Sequence, residues 1–342
     1  MKIRTVFVQA ASCTAALLLA SCTPSGLTTR GEGPAPDPLM GDWQGNQVGK
    51  DGVVRPAAVR VIALGGGIYR FNIQSAFDQR QDDRTVLADA RLEGDNILPV
   101  SGSDWQLHLQ NGELTGQTTR ESAENCTLRR VVRLSPCLGA RPPKAAVHLF
   151  DGTDLTGWER RDEKERAVPV AWKILDGGAM EVAAGSGDIM TKRHFTDFRL
   201  HVEFRLPFMP EAREQARANS GVYLQGRYEI QVLDSYGLKG GDNECGGIYK
   251  VAAPLVNMCA PPGQWQTYDI TFHAAKYDAG GTKVQDAFVT VVHNGVVVQK
   301  DQAIPGPTGG ALDDHMSQAG PILLQDHGNA VQYRNIWLVE LR

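Results

Sequence analysis

No Lys/Arg run and no basic stripe occurs in these 342 residues, and the formal charge is -4, so a nucleic-acid partner is not expected. No Cys-x-x-Cys pair or Cys/His spacing of the zinc-binding kind appears among the six cysteines. The apolar run near the N-terminus is too short, and too rich in small residues, to be a stable membrane span. Between residues 40 and 138 no long stretch keeps a 3.6-residue period, which argues against a helical domain there. What remains is the composition of a folded soluble protein, 42% hydrophobic and 22% charged. With 37 glycines and 18 prolines the chain has many turns, which suits an all-β protein. Its length is large for one core and predicts one large domain plus a smaller one.

The first 22 residues, MKIRTVFVQAASCTAALLLASC, start basic and end in Leu19-Ala20-Ser21-Cys22. This resembles the lipobox of bacterial lipoproteins. The resemblance implies a signal peptide over 1–21, cleavage before Cys22, and acylation of its thiol. The chain would then be exported and held by a lipid anchor in a membrane. Thr23 lacks the acidic character that favours inner-membrane retention, so the outer membrane is expected, facing the periplasm or the cell surface. Residues 22–39 read as a flexible tether. Cys126, Cys137, Cys245 and Cys259 are left for an oxidising compartment, which suggests two bridges. Three pairings are open; Cys126–Cys137 with Cys245–Cys259 keeps each bridge inside one domain.

Residues 40–138 read as a small antiparallel β domain of unknown role. "VRVIALGGGIYRFNI" is two strands joined at Gly65-Gly66-Gly67, and "LHLQNGELTGQ" turns at an Asn-Gly pair. "GARPPK" follows as a stiff linker. Residues 145–342 carry many strands with frequent turn signals, as in a sandwich or jelly roll. In "DFRLHVEFRLP" the apolar and polar residues alternate, so His201 is expected on a solvated sheet face. "VTVVHNGVVVQ" is a hairpin turning at Asn294-Gly295, with His293 at a strand end. "MPEAREQARAN" is the one candidate for a short helix.

"YEIQVLD" places Tyr228, Ile230 and Val232 on one face of a strand and Glu229 and Gln231 on the other. A bulge after Gln231 could bring Asp234 round to join them. Two carboxyls on one concave sheet face suit acid–base chemistry on sugars; two solvated surface acids would give the same pattern.

Four segments, "VHLFDGTDLTGW", "NSGVYLQGRYEIQVLDS", "CGGIYKVAAPLVNMCAPPGQWQTYDITF" and "GPILLQDHGNAVQYRNIW", strongly resemble the 3-keto-disaccharide hydrolase family. The resemblance covers nearly all of residues 145–342 and not the N-terminal β domain. It implies a concanavalin-like lectin/glucanase sandwich and a substrate oxidised at C3 of a sugar. "YEIQVLD" is more loosely similar to the Glu-x-Asp-x-x-Glu strand of laminarinase-type glucanases. Gln231 and Asp234 depart from that pattern, which weakens a retaining double displacement. The chemistry implied is C2 proton abstraction, expulsion of the group at C1 and addition of water. Glu229, Asp234 and His327 are the candidate catalytic groups. Asn219, Gln231, Tyr249 and Gln325 are candidates to orient hydroxyls, and Arg334 to stabilise developing charge. Gln325-Asp326-His327-Gly328 would form a turn at the rim of the same face, with Asp326 capping the turn or orienting His327.

No cofactor is expected, and a divalent metal such as calcium stays open. Asp242, Asn243 and Glu244 are ligands of the type calcium takes, but their spacing matches no known loop; Asp313, Asp314 and His315 read as a solvated loop. The competing functions are a lectin-like carbohydrate-binding lipoprotein without turnover and a conventional glucanase-like glycosidase. A binding face would present more aromatic rings than Tyr223, Tyr228 and Tyr249.

Overall fold

The computed structural model describes residues 37–74, 76–78, 86–101, 105–118, 124–161 and 166–342. The predicted signal segment and the Cys22 anchor lie outside the described residues. The chain is all-β, 48% strand and 1% helix. The candidate helix reduces to one 3-10 turn, Glu214–Ala216, with none of its residues buried. Without an apolar stripe, that segment has no face to bury against the sheets.

Eight antiparallel strands close a barrel: β1 (Gly41–Val48), β2 (Val54–Gly65), β3 (Ile68–Gln74), β4 (Val86–Glu93), β5 (Asn96–Ser101), β6 (Trp105–Gln110), β7 (Glu113–Thr118) and β8 (Asn125–Val131). Each neighbours the next and β8 returns to β1, so closure leaves no open edge. The interior is apolar and tightly filled. A gap of about 30 Å³ remains among Val59, Phe71, Leu107, Leu114 and Leu128, bordered also by Gln47 and Cys126. That space is the volume of one water and offers no chemistry.

The rest forms a two-sheet sandwich, the fold expected from the sequence. One sheet runs in the order β11 (Ala167–Val168), β10 (Trp158–Arg161), β14 (Ile189–Thr191), β23 (Leu323–Leu324), β16 (Ser220–Leu224), β17 (Tyr228–Val232). The other runs β12 (Lys173–Ile174), β13 (Met180–Glu181), β24 (Gln332–Glu340), β15 (Phe198–Arg205), β18 (Trp265–His273), β21 (Ala287–His293), β22 (Val296–Ile304), with β9 (Val147–Phe150) also paired to β24. β19 (Lys276–Tyr277) and β20 (Lys283–Gln285) form a small separate ribbon. Period-2 alternation sends Val222, Leu224, Tyr228, Ile230 and Val232 inward against Phe198, Val202, Phe204, Tyr268 and Phe272, all essentially inaccessible to solvent. The hairpin β21–β22 turns at Asn294 (φ 50) and Gly295 (φ 82), both in the left-handed region that an Asn-Gly turn uses.

The barrel sits on the sandwich through buried polar contacts. Asn72 Nδ2 donates to Gly237 O (2.6 Å), and Tyr236 Oη to Asp42 Oδ1 (2.7 Å). Asp42 Oδ2 also accepts from Arg133 Nε (2.7 Å). Seven successive residues of β2, Ala57 to Ala63, are therefore buried on both sides. Gly237 is required at this contact: a Cβ there would lie 2.3 Å from Ile62 Cδ1, and its φ of +75° already excludes most residues.

One expectation fails because something unforeseen covers a polar face. His201 and Glu203 are buried, not solvated. The linker lies across them, Gly139 N donating to Glu203 Oε1 (2.6 Å) and Asn335 Nδ2 to Ala140 O (3.0 Å). Burial opposes the charge on His201, but hydrogen bonds to Asp269 and Glu203 outweigh it and raise its pKa to about 9. His293 is likewise buried, against Phe204 and Tyr268, and burial lowers its pKa to about 3. The cysteine pairing also differs: Cys126, Cys245 and Cys259 are free thiols. Cys126 stands near the start of β8, whose five further residues carry the extended chain about 17 Å away before the linker begins. Cys245 and Cys259 interact inside the core as thiols, with Cys245 Sγ 3.1 Å from Tyr268 Oη.

Candidate functional site

The outer face of the six-stranded sheet is where the polar residues converge. Register fixes who meets whom: Tyr223 pairs with Glu229, Gly221 with Gln231, Tyr223 with Leu323 and Met190 with Leu323. Alternation along each strand then sets Asn219, Gly221 and Tyr223, Glu229 and Gln231, Gln325, and Asp188 with Met190 on that one face. Met190, Tyr223 and Leu323 pack together as its small apolar patch.

Glu229 is its centre. Tyr223 Oη donates to Glu229 Oε2 (3.0 Å) and to Gly309 O (2.8 Å), and receives Gln325 Nε2 (3.3 Å). A phenol has one proton for those two acceptors. When Glu229 is ionised the phenol serves it; when Glu229 is protonated, the carboxyl can donate to the phenol oxygen and free it for Gly309. Burial raises the Glu229 pKa to about 7, with a smaller push from the charge of Asp188, against the lowering effect of the Tyr223 hydrogen bond. Gly221 makes room for the carboxyl, since a Cβ there would lie 2.5 Å from Glu229 Oε1.

The backbone around Glu229 is held from both sides. Glu229 N donates to Thr308 Oγ1 (2.9 Å), and Tyr249 N donates to Glu229 O (3.2 Å). Gln231 exchanges backbone bonds with Gly246 and Gly247, which cover the outer edge of β17. Tyr249 is half-buried there, its ring beside Gly309. An amide network flanks the carboxyl: Gln231 Nε2 donates to Gln215 Oε1 (3.3 Å), and Asn219 Nδ2 to Gln215 O (2.8 Å). Two buried acceptors nearby, Asn219 Oδ1 and Gln325 Oε1, have no hydrogen-bond partner among the described residues. Such atoms cost about 1–3 kcal/mol each unless a ligand fills them.

The rim turn lies where the sequence places it. Asp326 caps it, Oδ1 accepting Gly328 N (2.9 Å) and Oδ2 accepting Gly187 N (2.9 Å). In return Asp326 N donates to Asp188 Oδ1 (2.8 Å). His327 is exposed at the tip, close enough for its charge to act on Asp188. Burial and the Asp326 carboxylate raise the pKa of Asp188, partly offset by the Asp326 amide and His327. Asp188 was not singled out from the sequence. Its only signal is "GSGDIMT", a glycine-rich turn before a three-residue strand.

Two candidates lie elsewhere. No bulge turns Asp234 toward Glu229; it is buried with Arg217, whose Nε donates to its Oδ2 at 2.5 Å, while Arg217 Nη2 reaches Ala63 O of the barrel. Arg334 belongs to β24 of the other sheet, paired with Glu203 (2.7 Å) and stacked on Trp265. Asp313 likewise pairs with Arg227 (2.5 Å), and Glu244 Oε2 accepts the amides of Gly240 and Gly241.

Residues 145–339 match the family model described as the 3-keto-alpha-glucoside-1,2-lyase-like domain. The chain belongs to this 3-keto-disaccharide hydrolase family. A solved structure of a candidate glycosyl hydrolase from Parabacteroides distasonis is 40% identical, with a TM-score of 0.52, over 58% of this chain and 85% of that one. Another candidate glycosyl hydrolase from the same organism is 22% identical over 58% of this chain and 95% of its own, with a TM-score of 0.42. None of the curated proteins compared with the chain matches it. As a member of the 3-keto-disaccharide hydrolase family, the protein carries a glycosyl hydrolase-like domain whose matched region holds Asp188, Tyr223, Glu229 and Gln325 and stops short of the barrel.

Proposed function

We propose that the protein cleaves glycosides oxidised at C3 of the sugar, with Glu229 as the base that removes the C2 proton. The observation that carries this reading is a buried carboxyl with a pKa of about 7, set among polar side chains on the outer face of a sheet. Such a group is about half ionised at neutral pH and can both take and return a proton. The C3 carbonyl acidifies C2–H. Glu229 takes that proton and the electron pair passes into the enolate. The enolate expels the C1 oxygen substituent, giving an enone; water adds to C1, and Glu229, its proton exchanged with solvent in the meantime, protonates C2. No carboxylate nucleophile is needed, so the distant ion pair of Asp234 is no obstacle.

Asn219 Oδ1 and Gln325 Oε1 supply acceptors for sugar hydroxyls, and Tyr249 and Gln231 border the same surface. His327 stands at the rim, where a departing group would leave. The family description, a 1,2-lyase, supports loss of a group from C1 together with the hydrogen at C2. A face that only binds sugar has no use for a carboxyl poised at neutrality, which disfavours the lectin-like reading. The N-terminal sequence adds that the enzyme is exported and anchored through an acylated Cys22. The test is turnover of a 3-keto-glucoside beside its parent glucoside: the keto sugar alone should be cleaved, and equal cleavage of both would overturn the reading.

A further inference from the structure

We propose that Asp188 is the second catalytic carboxyl of this face, donating a proton to the departing glycosidic oxygen and then accepting one from the water that replaces it. This rests on the reading of Glu229 given above. Asp188 immediately precedes β14 and shares the face of Met190, which packs on Tyr223, the residue that holds Glu229. β23 and β16 separate the two acids, with Leu323, Gln325, Gly221 and Tyr223 on the shared face between them.

The carboxyl is positioned from outside that stretch. Asp326 N fixes Asp188 Oδ1 at 2.8 Å, and Asp326 Oδ2 fixes Gly187 N at 2.9 Å, so the rim turn and the start of β14 clasp each other. Asp188 Oδ2 has no hydrogen-bond partner among the described residues and remains for a ligand. Burial of this half-exposed side chain and the nearby Asp326 carboxylate both favour its protonated form, and its charge in turn raises the pKa of Glu229. Two acids on one face with different partners divide acid and base work between them.

The steps balance. As the enolate collapses, the C1–O bond breaks and the departing oxygen takes the Asp188 proton. The Asp188 carboxylate then takes one proton from the incoming water as its oxygen bonds to C1. Glu229 delivers the C2 proton independently. The net change is one water consumed, one alcohol and one 3-keto sugar released.

The experiment compares Asp188→Asn on methyl and p-nitrophenyl 3-keto-glucosides, since a good leaving group needs no acid. Asn keeps the acceptor for the Asp326 amide, so the turn should stay. The expected result, read as aglycone released in the first turnover before water adds, is a loss of about 10²–10⁴-fold on the methyl glycoside, with p-nitrophenol released within about tenfold of the unaltered rate. Exchange of the C2 hydrogen with solvent deuterium should persist in this variant. If Asp188→Asn fails to fold, Asp188→Ala with added formate replaces it, and formate should restore the methyl rate. Equal losses on both aglycones, or no loss on the methyl glycoside, would overturn the assignment of Asp188 alone. Absence of cleavage and of C2 exchange in the unaltered protein would overturn the Glu229 reading, and this assignment with it.

Discussion

Replacing Glu229 by glutamine should slow turnover severely and, at alkaline pH, make the protein more stable. Burial holds this carboxyl at about 7 instead of 4.5, so between those pH values the folded state binds more protons than the unfolded chain. Stability therefore falls as pH rises through that window, and the full loss is present above pH 7. A shift of that size corresponds to about 3 kcal/mol at pH 8.5 and only about 1 kcal/mol at pH 5. Glutamine is a near isostere that does not titrate, and its side-chain oxygen can still accept from Tyr223. The variant should thus exceed the unaltered protein by about 3 kcal/mol in urea unfolding at pH 8.5, shrinking to about 1 kcal/mol at pH 5. Turnover should fall by about 10²–10⁴-fold at either pH. A stability difference that does not change with pH, or a variant less stable at pH 8.5, would refute the claim that burial sets the protonation of Glu229.

Gly221→Ala should lower kcat by more than about tenfold and cost about 1–3 kcal/mol of stability, because its Cβ would stand 2.5 Å from Glu229 Oε1 and 2.9 Å from the buried Tyr223 ring and displace both; steady-state kinetics and a thermal melt check both halves. Arg217→Ala should cost about 3–5 kcal/mol in urea unfolding by leaving Asp234 buried without its partner, yet keep the activity of the folded fraction. Alkylation in denaturant without reductant should modify Cys126, Cys245 and Cys259, and the native fold should protect Cys245 and Cys259, which are fully buried; a bridged Cys245–Cys259 peptide by mass spectrometry would contradict this.

The strand that carries Glu229 was legible in the sequence because two-residue alternation and a buried core leave one choice of face. The hairpin at Asn294-Gly295 was legible for a local reason too, since those residues tolerate positive φ. The rim corner at Gln325-Asp326-His327-Gly328 could be located, and its function as a clasp on Gly187 could not. That contact joins segments 139 residues apart. Asp188 escaped notice for the same reason: its neighbours across the face are set by the order β14-β23-β16-β17, which no local pattern encodes.

The errors have a common origin. Alternation says which way a side chain points and is silent on what covers it. His201 and Glu203 point away from the sandwich core as read, but the Ser135–Ala140 segment lies over them. Asp234 stands just beyond a strand whose polar face was correctly assigned, and the partner that claims it, Arg217, comes from a loop pressed against the barrel. Arg334 sits in a segment that resembles the family, yet β24 belongs to the opposite sheet. Proximity in sequence to a site residue did not carry these groups into the site.

Hydrolysis of a 3-keto-glucoside in deuterium oxide, with the released sugar analysed by NMR, tests the central claim most directly. Abstraction by Glu229 and return of a solvent-exchanged proton should place deuterium at C2 of the product, and Glu229→Gln should slow label and product together by about 10²–10⁴-fold. Product released with hydrogen fully retained at C2, or full activity in Glu229→Gln, would contradict it.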